Sequence, residues 1–136
     1  MNAISVAVLS VALSTSAIEK EKAPFNVRDL VAMERVSSPT LSPDGRLVVF
    51  AVRQADVAAN KSKTGLWIEN LMARDAMPPT RFTDESLNVN SPSFSPDGKT
   101  VYFLSAKSGS MQLWAQALDA KTAMQISNFD LDVGSY

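Results

Sequence analysis

Apolar and polar positions divide the chain into three kinds of segment. Residues 3–17 are an apolar run interrupted only by Ser and Thr. At fifteen residues it is shorter than the roughly 20 needed to span a bilayer, and it suits the apolar core of a secretory signal, although no Lys or Arg precedes it. Small residues at Thr15-Ser16-Ala17 place the expected cleavage after Ala17, so that Glu19-Lys20-Glu21-Lys22 would open the mature chain. A short helix-period segment follows. Asn26 can cap it, Asp29 can reach back to the cap, and Val27, Leu30 and Val31 form its apolar stripe. Ser37-Ser38-Pro39 is expected to end it, because the residue before proline avoids the helical region.

Beyond that point the pattern repeats. Ser38-Pro39-Thr40-Leu41-Ser42-Pro43-Asp44-Gly45-Arg46 matches Ser91-Pro92-Ser93-Phe94-Ser95-Pro96-Asp97-Gly98-Lys99 position by position. Val48 and Phe50 match Val101 and Phe103, Leu66-Trp67 matches Leu113-Trp114, and Arg81-Phe82-Thr83 matches Gln125-Ile126-Ser127. The offset shrinks along the repeat, so the first unit carries extra residues. These are assigned to loops at residues 54–63 and 72–79, where the chain is polar or proline-containing.

Each unit reads as four strands. The first is Thr40-Leu41 or Ser93-Phe94, the second residues 47–52 or 100–105, the third 66–71 or 112–118, and the fourth 80–83 or 124–127. Between the first and second lies a Ser-Pro-Asp-Gly turn: Ser42, Pro43, Asp44 and Gly45, or Ser95, Pro96, Asp97 and Gly98. Proline presets φ at the second turn position and glycine supplies a positive φ at the fourth. The second strand is apolar on both faces, Val48 and Phe50 on one and Val49 and Ala51 on the other, which demands a sheet covered on both sides. Four antiparallel strands recurring at this period, with a Trp in the third, describe an all-β, incomplete β-propeller of two blades. Phe50, Phe103, Trp67 and Trp114 are the candidate blade-packing residues. The expected layout is a signal peptide over 1–17, a linker and short helix over 18–37, blade one over 38–90, blade two over 91–127 and the start of a truncated third blade over 128–136, with Ser135 standing where Ser91 stands. Two blades do not close a ring, so the chain reads as a fragment or a truncated product.

Composition removes most chemistry. The chain of 136 residues has no His and no Cys, so no triad base and no Cys- or His-based metal site is available within it. Its net charge of −1 argues against a nucleic-acid surface. Asp44 and Asp97 read as turn formers, Asp130 and Asp132 as a solvated loop, and Asn60-Lys61-Ser62 fits a glycosylation sequon. No catalytic, cofactor-binding or metal-binding residue is assigned, and no cofactor.

The run Asp29-Leu30-Val31, Glu34-Arg35-Val36-Ser37-Ser38-Pro39 and Ser42-Pro43-Asp44-Gly45, with residues 102–110 and 131–135 further on, resembles the prolyl oligopeptidase family of serine peptidases, family S9, in its dipeptidyl aminopeptidase/acylaminoacyl-peptidase branch. The resemblance covers nearly the whole chain after the apolar run. It implies a seven- or eight-bladed N-terminal propeller capping a C-terminal α/β-hydrolase domain that carries a Ser-Asp-His triad and cleaves short peptides. On that reading the chain is the non-catalytic, access-controlling part of an exported or periplasmic peptidase. Its partners would be the hydrolase domain and, for the parent, short peptide substrates, with no nucleic acid and no membrane contact beyond export. No Gly-x-Ser-x-Gly elbow occurs among its glycines. The competing expectations are a periplasmic binding propeller resembling the TolB type and a remnant with no function.

Overall fold

The structure is a computed structural model and describes residues 24–73 and 77–136. The expected signal peptide lies outside the described residues.

A six-residue helix, α1 (Val27–Ala32), precedes eight strands: β1 (Arg35–Leu41), β2 (Leu47–Asp56), β3 (Lys61–Asn70), β4 (Thr80–Arg81), β5 (Val89–Phe94), β6 (Thr100–Ser105), β7 (Gln112–Ala117) and β8 (Met124–Gln125). They form two antiparallel four-stranded sheets, each made of consecutive strands in sequence order. This is the all-β, two-blade architecture of a propeller segment.

The repeat extends to individual hydrogen bonds. In blade one Gly45 N–H donates to the Ser42 carbonyl at 2.8 Å, and in blade two Gly98 N–H donates to the Ser95 carbonyl at 2.9 Å. Both glycines sit at φ +69°, where a Cβ would be strained. Each turn serine is buried and accepts from the strand that follows, Ser42 Oγ from Leu47 N–H and Ser95 Oγ from Thr100 N–H, while donating to the turn aspartate. The Leu66 amide donates to Thr83 Oγ1, and the matching Leu113 amide to Ser127 Oγ.

Three sequence expectations change. The helix has its capping box, Asn26 Oδ1 accepting from the Arg28 and Asp29 amides and Asp29 Oδ2 accepting from Asn26 N–H. It ends at Ala32, well before Ser37-Ser38-Pro39, because residues from Arg35 onward pair with β2, Arg35 opposite Arg53 and Val36 opposite Val52. Its apolar stripe is not packed: Val27, Leu30 and Val31 are all exposed.

The first strand of each blade is longer than the two residues expected. Pro39 and Pro92 lie inside it, at a register shift between Ser37 and Thr40 and between Asn90 and Ser93. Ser38 and Ser91 take φ of 50° and 51° there. A bulge leaves its extra residue out of the ladder, so proline's missing N–H costs nothing at that point.

Residues 54–63 are not a loop. They extend β2 and β3 into a protruding hairpin, Gln54 opposite Lys63 and Asp56 opposite Lys61. Its residues are polar because most of the hairpin stands in solvent. Its tip is held by Ala59 N–H donating to Asp56 Oδ1 at 3.0 Å, with Asn60 at φ 49°.

The core lies between the blades. Val49, Ala51 and Leu66 of blade one meet Leu87, Val89, Val101, Phe103 and Trp114. Ile68, Phe82, Phe94 and Leu118 pack at its edge. A single buried layer joins both sheets, which hydrophobic burial stabilises in proportion to the apolar area removed from water.

Candidate functional site

Alternation along a strand sends Val49 and Ala51 to one face of β2 and Val48 and Phe50 to the other. In blade one it is the Val49/Ala51 face, with Leu66 opposite Ala51 and Ile68 opposite Val49, that meets blade two. In blade two the residues facing back are Val101 and Phe103, with Trp114 opposite Phe103. These occupy the positions that Val48, Phe50 and Trp67 hold in blade one. Successive blades therefore pack front to back.

The four candidate packing residues divide accordingly. Phe103 is fully buried and Trp114 is 8% exposed, both between the blades. The Trp114 indole N–H donates to the Ser105 carbonyl at 3.2 Å, and Lys107 Nζ lies 6.0 Å from its ring centroid. Phe50 and Trp67 are paired on the far face of blade one and are half-buried, and Trp67 Nε1 is a buried donor with no acceptor among the described residues.

Two glutamines missed by sequence reading matter as much as the aromatics. Gln116 Nε2 donates across the interface to the Phe82 carbonyl at 2.9 Å and to the Ala120 carbonyl at 3.1 Å. Gln112, fully buried, donates to Ser110 Oγ and the Phe129 carbonyl and accepts from Ser127 Oγ and the Phe129 amide. The signal was faint: glutamine alternating with apolar residues in β7 resembles a solvated face.

Asp44 and Asp97 are structural. The Ser42 hydroxyl, then the Arg46 amide, hold the Asp44 carboxyl below its ordinary value, and Ser95 and Lys99 do the same for Asp97. Such lowering adds stability above the unfolded-state value near 3.8 that is lost as pH falls through the folded value. Denaturant midpoints are therefore expected to drop on going from pH 7 to below about pH 4. The double variant Asp44→Asn/Asp97→Asn should show a flatter profile, and an unchanged profile would remove the turns from the acid response. Asp132 Oδ1 accepts from the Met111 amide at 2.6 Å, as Asn88 Oδ1 accepts from Thr64 in blade one, so it belongs to the repeat. Asn60 of the sequon stands at the exposed hairpin tip.

No group of three or more His, Cys, Asp or Glu suited to a metal occurs among the described residues, and no helix there is long and apolar enough to cross a membrane. An open cleft of about 320 Å³ lies between α1 and the protruding hairpin, lined by Met33, Arg35, Arg53 and Lys61 among others. Nothing in it resembles a nucleophile with a base.

The chain is 40% identical over 83 residues to dipeptidyl-peptidase 5 of Porphyromonas gingivalis, 61% of this chain and 12% of that protein. It is 30% identical over 107 residues to dipeptidyl-peptidase 5 of Porphyromonas endodontalis, 79% of this chain and 15% of that protein. It is a propeller segment of the prolyl oligopeptidase family. The prolyl oligopeptidase segment described here thus spans about one-seventh of these relatives or less. No family model matches it. Among solved structures, the AtxE2 isopeptidase superposes with a TM-score of 0.62 at 23% identity, over 82% of this chain and 21% of that one. The β-propeller domain of the trilobed protease from Pyrococcus furiosus gives 0.52 at 25% identity, over 69% and 27%. A protein described as TolB from Agrobacterium tumefaciens gives 0.54 at 24% identity, over 70% and 31%. The last of these likenesses speaks for the fold alone.

Proposed function

We propose that this chain supplies the first blades of the propeller of an exported serine peptidase acting on short peptides, of dipeptidyl- or acylaminoacyl-peptidase type, and that its role there is to build the wall restricting substrate entry. The observation that carries the reading is the 40% identity to dipeptidyl-peptidase 5 over a segment that folds as two front-to-back blades. The chain itself has no histidine to serve a serine nucleophile, so the chemistry belongs to a hydrolase domain outside it. Residues 3–17 support export.

The purified chain is expected to release no chromophore from dipeptidyl or acyl-aminoacyl chromogenic substrates, and turnover would contradict the division of roles. In the longer protein, Phe103→Ala should loosen the blade wall. It is expected to raise cleavage of a long unstructured peptide relative to a dipeptidyl chromogenic substrate. An unchanged ratio would count against access control. A longer protein made of further blades with no peptidase activity would instead favour a binding propeller.

A further inference from the structure

We propose that copies of this chain associate head to tail. The face of blade one that points away from blade two (the head) packs on the face of blade two that points away from blade one (the tail). The contact repeats between chains the interface that joins the blades within one.

The internal repeat supplies the template. Six apolar residues of blade two pack against blade one: Val89, Phe94, Val101, Phe103, Trp114 and Leu118. Their counterparts in blade one are Val36, Leu41, Val48, Phe50, Trp67 and Leu71, apolar at every position. Val36 is 65% exposed where Val89 is 2% exposed, and Leu41 and Leu71 are also exposed. The receiving surface recurs too. Val49, Ala51, Leu66 and Phe82 correspond to Tyr102, Leu104, Leu113 and Ile126. Ile126 is exposed, and so is Leu131, the counterpart of buried Leu87. The chain thus presents both halves of an interface whose geometry it already contains, and apolar surface of this extent marks an interaction site. The unpartnered Trp67 indole N–H lies on the head. Such an interface is heterologous, so it closes into a ring or continues as a filament. Propellers of four to eight blades would close with two, three or four chains.

One position departs from the template. Glu69 stands where Gln116 donates to the Phe82 carbonyl, and a carboxylate cannot donate there. Glu69→Gln restores the donor and is expected to tighten association about fivefold.

The proposal goes beyond the peptidase reading and depends only on the blade geometry. Light scattering on the purified chain over a concentration series should show masses above the 14.7 kDa of one chain. A monomer throughout would overturn it. A head variant (Val36→Asp/Leu41→Asp) and a tail variant (Ile126→Asp/Leu131→Asp) change residues already exposed, so each should keep the wild-type circular dichroism and remain monomeric alone. Mixed, they retain one intact head and one intact tail and should form a 1:1 dimer. Self-association that survives in either variant alone, or a mixture that stays monomeric, would overturn the proposal. So would a Glu69→Gln variant that associates no more tightly. A peptidase assay is not involved, so failure here leaves the proposed function standing.

Discussion

Phe103→Ala is expected to lower the stability of the chain by about 3–5 kcal/mol, and Phe50→Ala by less than half as much. The two phenylalanines hold matching positions in matching strands, each opposite a tryptophan of the neighbouring strand. Sequence alone would score the substitutions alike. The structure separates them, because Phe103 is fully buried between the sheets while Phe50 stands half-buried on a face no other sheet covers. Truncating Phe103 opens a cavity among Val101, Trp114 and the blade-one residues of the same cluster, and a cavity adds its own cost to the lost transfer energy. A small domain commands only about 5–15 kcal/mol in total, so this variant is expected to be largely unfolded near its melting midpoint while Phe50→Ala still melts cooperatively. Urea denaturation followed by circular dichroism reads both. Equal losses would mean that the far face of blade one is as well packed as the near one. If chains associate as proposed, the Phe50→Ala loss should grow with protein concentration, because burial of Phe50 then depends on a second copy.

The same pair shows what the sequence makes legible. Two apolar faces on one strand require a cover on each side, and that much can be read from Val48, Val49, Phe50 and Ala51. Which cover is present cannot, since both faces carry the same kind of residue. The turns were legible down to their hydrogen bonds because Ser-Pro-Asp-Gly acts locally: proline and glycine set their own dihedrals, and the aspartate accepts from the residue two positions on. Strand limits were less legible. Pro39 and Pro92 resemble strand breakers but occupy bulges, where ladder hydrogen bonds are interrupted anyway. The 54–63 hairpin was hidden by its polarity, because a ladder exposed on both faces has no alternation to betray it. The helix was visible through its cap, a local signal, whereas its apolar stripe foretold a packing partner absent from the described residues.

Gln112→Leu should cost about 2–3 kcal/mol despite preserving most of the side-chain volume. The wild-type amide is fully enclosed, donating to Ser110 Oγ at 2.8 Å and the Phe129 carbonyl at 2.9 Å. Its oxygen accepts from Ser127 Oγ at 2.8 Å and from the Phe129 amide at 3.0 Å. Leucine removes all of these at once. Part of the loss is recovered because the segment around Phe129 is exposed and water can reach its backbone, which keeps the expected cost below the sum of separate bonds. The position also explains why the repeat is not uniform. Blade one has Gly65 there, and a Cβ added to it would come within 2.7 Å of Arg81 Nη2, so the arginine fills the space that Gln112 fills in blade two. Arg81 Nε donates to the Thr83 carbonyl at 3.0 Å, and Gln125 Nε2, at the matching position, donates to the Ser127 carbonyl at 2.7 Å. Each blade thus ties its last strand to the chain beyond it, one through an arginine above a glycine and the other through a pair of glutamines. Hydrogen exchange discriminates this role from simple core filling. Loss of the tie should speed exchange of the Phe129 amide while Val101 and Phe103 in β6 stay protected, whereas uniform acceleration would assign Gln112 to the general core instead.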